Sequence, residues 1–463
     1  MKNGATGAMA MPRSVRSGVL GVLTNELIFS ILWRELTGEH KGEACEDWRL
    51  AGEDTRALRS ISNRVRELVD GSVTTADLRH NCGDEVASAL ARWPGLTSLT
   101  APTRCEVLHA LNVAQLPKLH SLSLRHDERL GGALNLPALS LPGLHELEVV
   151  NFPNRPALSI EAVCSGWGLQ ALKKFSVLGF GLSSLAGLAA GFPALQQLCI
   201  GSSDVESLAP LQGCTQLLHV DVSNCTRLVS LAGLPAASLT TLQMAGCRSL
   251  DGNLQALSAC SKLQDLCMDF CISLTSLAQL SGGLQALTRL SMDGCAALTS
   301  VFPLAACGSL ARLTLDRCSV TEVPLASCRA LHELSIGHWH GADLHGLRCP
   351  RLRKLSLFHS QLESLEGLEP CVELVELELR DVPNVTSLAP LSGLPQLRRV
   401  KVAQAYGVSS LEPLLKCAQL EALAVSAHCD SPGQAALLDA LPRLRITRIS
   451  AVSPAMVPEG EGW

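Results

Sequence analysis

The chain has 463 residues; 47% are hydrophobic, 17% charged and 3% aromatic, and its formal net charge is -5. An acidic balance with so few aromatic rings argues against a nucleic-acid partner. Such surfaces are usually basic and hold single strands by stacking. No apolar run reaches the roughly eighteen residues of a membrane helix, so no membrane span is expected. No secretory start, a charged stretch leading into an apolar one, is visible. Residues 1–18 read as a flexible tail. Lys2, Arg13 and Arg16, with no acid before Glu26, are features an organelle transit segment would share.

From Val19 the pattern turns helical. Leu23, Leu27, Ile28 and Ile31 fall on one helix face, with Thr24 or Asn25 as its cap. An acidic insert follows from Glu39 to Asp54, and then a second helical stretch with Leu58, Ile61, Val65, Leu68 and Val69 in phase. Ser72 to Leu78 reads as a strand.

Repeats then run from Leu96 to about Ala451. Five copies of one phrase stand out between Leu217 and Cys318. The third is Leu263-x-x-Leu266-x-Met268-x-x-Cys271 and the fourth Leu287-x-x-Leu290-x-Met292-x-x-Cys295. The same phase gives strand starts at Leu96, Leu119, Leu144, Leu172 and Leu195, and again from Leu331 through Leu352, Leu374, Leu397 and Leu420 to Ile446. The period is about 23 residues, the mark of a solenoid. Within each repeat the alternation predicts a short strand with its fourth and sixth side chains inward. Phrases such as Ser207-Leu208-Ala209-Pro210-Leu211 close the return, and their Pro and Gly disfavour a long helix. Turns and single 3₁₀ turns are expected there. The step after Leu144 is long, and Ile160 to Trp167 reads as a helical turn in an insertion. The step from Leu420 to Ile446 is long too, with a true helix over Gln434 to Ala440.

Nineteen cysteines in a secreted chain would suggest disulfides. Here they keep the repeat phase. Cys225, Cys247, Cys271, Cys295 and Cys318 hold the ninth position. Cys214, Cys260, Cys307, Cys328, Cys349, Cys371 and Cys417 stand three before the first Leu. Both series read as ladders of buried small hydrophobes, without disulfides, in a reducing compartment. The cytoplasm is therefore expected, with the nucleus the alternative.

The phrase LxxLxLxxC, in five in-phase copies, resembles the leucine-rich repeat family in its cysteine-containing, short-repeat form. The resemblance implies an α/β fold: a right-handed solenoid with a concave parallel β-sheet and short convex turns, occupied with binding protein. The two N-terminal helices are similar to an F-box. Leu23-Thr24-Asn25-Glu26-Leu27 matches that family's opening Leu-Pro-x-Glu-Leu, with Thr24 in place of Pro. Leu58-x-x-Ile61-Ser62-x-x-Val65-Arg66-x-Leu68 matches its closing helix, with Val65 in place of Trp. This likeness implies that Leu23, Glu26, Leu27, Ile31, Leu58, Ile61 and Leu68 dock a Skp1-type adaptor, and that the protein selects substrates for an SCF-type ubiquitin ligase. The alternative is a scaffold or sensor without a ligase link, the helices only capping the first strand edge. The domain order is then a tail at 1–18, a helical segment at 19–71, the solenoid at 72–452 and a tail at 453–463.

No phosphate-binding, zinc-protease or serine-hydrolase motif is present, so neither catalysis nor a cofactor is expected. Gly179-Phe180-Gly181 lacks the third glycine of a dinucleotide fingerprint. His338-Trp339-His340 with His345 is the best metal candidate, but Trp339 takes a core position and no metal is expected. The informative surface is the solvent side of the sheet, where the third, fifth and seventh positions point. Asp269, Asp293 and Asp316 form an acidic seventh row; Arg289, Arg312, Lys354 and Arg399 form a mostly basic third row. The fifth row is mostly small: Ser123, Ser176, Cys199, Cys267, Ser291, Thr314, Ser335 and Ser356. Either each Asp pairs with a neighbouring Arg, or the face receives a charged protein partner.

Overall fold

The computed structural model describes residues 73–449, apart from 79–89, 91–92, 126–139, 151–159, 427–436 and the positions 104, 115, 180–181, 251, 253, 281, 283, 438 and 442. The two N-terminal helices, both tails, and every position matched to the F-box lie outside the described residues. The chain divides into two compact units, one ending at Arg125 and one beginning at His126.

The first unit holds three parallel strands, β1 (Thr75–Asp77), β2 (Ser98–Pro102) and β3 (Ser121–Arg125). Leu99 pairs with Leu122 and Ala76 with Leu99, so the apolar phase is in register. Between β2 and β3 runs α1 (Cys105–Ala114), a full helix where turns were expected. The reason is local: CEVLHALNVA contains no Pro or Gly, and its Val107, Leu108 and Leu111 are buried.

The second unit is one parallel stack. Its strands are β4 (Glu146–Val150), β5 (Lys174–Leu178), β6 (Gln197–Cys199), β7 (His219–Asp221), β8 (Thr241–Gln243), β9 (Asp265–Cys267) and β10 (Arg289–Ser291). They continue as β11 (Arg312–Leu315), β12 (Glu333–Gly337), β13 (Lys354–Phe358), β14 (Glu376–Arg380), β15 (Arg399–Ala403), β16 (Ala422–Ser426) and β17 (Arg445–Ile449). Each pairs in parallel with the next, and leucine faces leucine: Leu266 with Leu290, Leu290 with Leu313, Leu355 with Leu377. The inward fourth and sixth positions are sealed, with Leu266, Met268, Leu313 and Leu355 at 0% exposure. Each such side chain contributes about 1.5–3 kcal/mol on burial.

One strand departs from the expected phase. Leu423 pairs with Ile446, so Ile446 holds the fourth position and Arg443 the first. The last repeat is therefore of ordinary length. The expectation misread it because Arg443 breaks the leucine phase. The helix expected near its start is seen in part, at Leu437, Asp439 and Ala440.

The returns are short, as the prolines demand. Among the described residues six 3₁₀ turns occupy them: Ala209–Gly213, Gln255–Ala259, Ala278–Leu280, Phe302–Ala306, Ala389–Gly393 and Glu412–Lys416. Four carry Pro at a starting position, where its missing N–H costs nothing. The unit also holds two short helices, α2 (Glu161–Gly166) in the expected insertion and α3 (Leu188–Gly191).

The turn leaving each strand from β5 to β15 has one conformation. From Gly179 to Gln404 the eighth residue of eleven consecutive repeats has positive φ, including Asn224, Phe270, Arg317, His338, His359 and Asp381. In eight of them the N–H donates to the seventh carbonyl of the next repeat, as Phe270 N does to Asp293 O at 2.6 Å and His338 N to Phe358 O at 2.9 Å; the Gln404 N–H donates to Ser426 Oγ instead, at 2.9 Å. The ninth residue then returns to the core. Cys225, Cys247, Cys271, Cys295 and Cys318 donate their thiols to the sixth carbonyl of the preceding repeat, Ile200, Val222, Met244, Met268 and Met292, at 3.1–3.3 Å. The second series is buried as expected, and Cys328, Cys349 and Cys417 bond back in the same way to Leu304, Leu325 and Leu391.

This geometry separates two cysteines four residues apart. Cys271 is 1% exposed and bonded to a carbonyl; Cys267 is half-buried on the solvent face. Cys271→Asp buries an unpartnered charge beside a carbonyl and should cost about 3–5 kcal/mol. Cys267→Asp should cost under about 1 kcal/mol. Denaturant titrations of both variants check the difference; similar losses would contradict the inward and outward assignment.

Candidate functional site

The seven charged residues singled out on the sheet all lie in the second unit, on its solvent side, within the span from β9 to β15. The third row is not mostly basic. It reads Asp265, Arg289, Arg312, Glu333, Lys354, Glu376 and Arg399, each directly opposite the next. Arg289 bonds Asp265 at 2.7 Å, Arg312 bonds Glu333 at 3.0 Å, and Lys354 reaches Glu333 at 3.6 Å. Arg399 pairs with Glu376. One like-charged contact, Arg289 against Arg312, interrupts the alternation. Asp265, Glu333 and Glu376 were missed from the sequence although they share the repeat position of the basic residues.

The fifth row is small through β9–β13, as expected, and becomes charged at β14 and β15. There Glu378 accepts from Lys401 at 3.0 Å and from Arg380 at 2.9 Å. Burial opposes ionisation of Glu378, yet those two cations outweigh it and hold its carboxyl below the usual range.

The acidic row does not pair with arginine in the way one reading expected. Asp269 Oδ1 accepts from Ser291 Oγ at 2.6 Å and from the Asp293 amide at 2.8 Å. Asp293 Oδ1 accepts from the Asp316 amide at 2.8 Å. Among the described residues, Asp316 is the one of the three that meets a guanidinium, Arg317 at 3.6 Å, and it also bonds the His338 ring at 2.8 Å. So backbone amides of successive repeats, rather than guanidinium groups, hold Asp269 and Asp293. Burial pushes the Asp293 carboxyl up to about 6, and the neighbouring Asp269 and Asp316 charges push the same way.

Beyond Asp316 the row changes character. Gly337 takes the seventh position, because a Cβ there would collide with the Asp316 carboxylate and the Phe358 ring. His338 and His359 stack at 5.1 Å, and Phe358 meets His359 edge-on at 6.3 Å. The structure thus pairs His338 with His359, two repeats' eighth residues, and not with His340 or His345. His345 lies instead 3.8 Å from both Asp343 and Glu366. Among the described residues no three His, Cys, Asp or Glu side chains converge as a metal set, and no helix is long and apolar enough to cross a membrane.

No protein-family model matches the sequence, and no curated protein does. Solved structures do. A leucine-rich-repeat protein of Leptospira interrogans, LIC12759, aligns with a TM-score of 0.51 at 14% identity, over 83% of this chain and 97% of that one. Internalin InlF of Listeria monocytogenes gives 0.50 at 15%, over 73% and 88%. TLR13, solved in complex with the RNA ssRNA13, gives 0.50 at 17%, over 83% and 54%.

The fold is a leucine-rich-repeat solenoid. In its terms the face just described is the strand side of the solenoid, and the 3₁₀ turns are its return side.

The Asp293 carboxyl gives a test of the acidic row. The folded chain holds that proton up to about pH 6, whereas a free aspartate releases it near 3.8. Ionisation therefore lowers stability as pH rises from about 4 to 7. Asp293→Asn keeps the Oδ1 acceptor and removes the charge. It should raise Tm at pH 7.5, and the gain should vanish by pH 4. A variant that is less stable at pH 7.5 would mean that the ionised carboxylate is favourable there.

Proposed function

We propose that the strand face from β9 to β15 recognises a protein partner. One observation carries this reading: a rigid parallel ladder sets charged side chains at fixed strand spacing, in an alternating third row beside an acidic seventh row. Such an array selects partners by charge pattern and speeds encounter more than it adds affinity. The residues proposed to meet the partner are Arg289, Arg312, Lys354, Arg399, Asp269, Asp293 and Asp316, with Asp265, Glu333 and Glu376. The role is one of binding, with no catalytic step assigned. A neighbour of the same fold solved with RNA means that the fold by itself does not choose between protein and nucleic acid. The net charge of -5 and the acidic row favour protein.

The finer reading, substrate adaptor of an SCF-type ligase, rests on Leu23, Glu26, Leu27, Ile31, Leu58, Ile61 and Leu68 alone. Nothing among the described residues favours it over a scaffold or sensor.

The test compares two surfaces. Arg289→Glu with Arg312→Glu reverses exposed charges on the strand face. Gln255→Lys with Glu412→Lys alters exposed positions on the return side. Partners recovered by cross-linking with the wild-type chain should be lost from the first variant and kept by the second. Equal retention by both would remove the strand face as the recognition surface.

A further inference from the structure

His338 and His359 follow β12 and β13 at the same repeat position, both with left-handed backbone at φ 53 and 51°. Their rings lie 5.1 Å apart and are inclined by 33°. A carboxylate orients each one: Asp316 Oδ1 lies 2.8 Å from His338 Nδ1, and Asp381 Oδ2 lies 2.8 Å from His359 Nδ1. A carboxylate at Nδ1 places the neutral ring's proton there and leaves the lone pair on Nε2. No hydrogen bond engages either Nε2 among the described residues. Each side chain is 39% exposed, so solvent reaches both rings.

Paired imidazoles with Nδ1 held by carboxylate and Nε2 open are the arrangement a transition-metal ion takes, because the second contact fixes the ring and raises its basicity. We propose that His338 and His359 form a two-imidazole site for a divalent transition-metal ion such as zinc or copper. The ligands are the Nε2 atoms, at about 2.0–2.1 Å for zinc, after a closing tilt of the two rings. No third protein donor converges there among the described residues, so water fills the remaining positions and the ion exchanges freely. Imidazole favours zinc, copper and nickel over magnesium or calcium. Asp316 and Asp381 supply negative charge to the incoming ion. Of the nearby cations, Arg317 lies against Asp316 and Arg380 is drawn to Glu378.

The test uses the full chain with zinc chloride in isothermal calorimetry, under a non-chelating reductant. His338→Asn and His359→Asn suit the backbone, since asparagine tolerates the left-handed region. The wild type should bind one zinc more than the double variant. Either single variant should weaken that site at least about tenfold. Asp316→Asn, which leaves both ligands in place, should weaken it by about tenfold through lost positioning. His345→Asn should change nothing. Zinc should also protect His338 and His359 of the wild-type chain from diethyl pyrocarbonate, a readout that needs no variant. With the reductant removed, copper(II) should give a paramagnetic spectrum with two coordinated nitrogens that the double variant lacks. Equal zinc stoichiometry in wild type and double variant, absence of protection, or a copper spectrum without two nitrogens would overturn the site.

Discussion

The stack from β5 to β15 depends on the left-handed turn after each of its strands. A residue with a Cβ in that conformation costs about 1–2 kcal/mol, yet Asn224, Phe270, Arg317, His338, His359, Asp381 and Gln404 all adopt it. The turn is held because it satisfies two neighbours together. In eight of the eleven turns its N–H reaches forward to the next repeat's carbonyl, and the residue after it swings inward. In five repeats that residue is a cysteine whose thiol reaches back to the previous repeat. Forward and backward bonds from consecutive residues lock the spacing of the stack. They also fix the direction of the seventh and eighth side chains, which carry the acidic row and the histidine pair.

The charges of the strand face do little for stability. Arg289, Arg312 and Lys354 have side chains about half exposed, and pairs of that kind are worth about 0–1 kcal/mol. The acidic row works against stability, since like charges stand on adjacent strands. Backbone amides compensate in part: each of Asp269 and Asp293 accepts the amide of the next Asp. A face that gains so little by being charged, yet keeps its charges in register over seven strands, is better explained by what it meets than by what it holds together.

The leucine phase made nearly every strand legible, because one slip of register would turn a buried leucine to solvent. It failed at β17, where Arg443 holds the position that leucine takes elsewhere and Ile446 offers a false start. The helix α1 escaped notice because the Pro-rich returns of later repeats were taken as the rule for all. On the face, attention to one charge sign hid Asp265, Glu333 and Glu376. The left-handed eighth position was harder to read. Its occupants include Phe270 and two histidines, which carry no turn signal of their own; only the geometry of the stack demands the conformation. The stacking of His338 on His359 follows from that turn and from a spacing of one repeat, so it too emerges only in three dimensions.

The cysteine ladders need a reason that hydrophobicity alone does not give. Valine would fill the ninth position but offer no donor. A hydroxyl is costlier to bury when its bond fails: Ser203, in the same position one repeat earlier, leaves its Oγ without a partner. A thiol packs like a small hydrophobe and still donates weakly to the second lone pair of a carbonyl already engaged. Met268 O shows this, accepting the Cys271 amide at 3.3 Å and the Cys295 thiol at 3.1 Å. Burial then holds the Cys225 and Cys271 thiols up at about 11, so they stay protonated at any physiological pH. The thiolate is the species that reacts. Their unpaired state is thus a consequence of where the fold puts them.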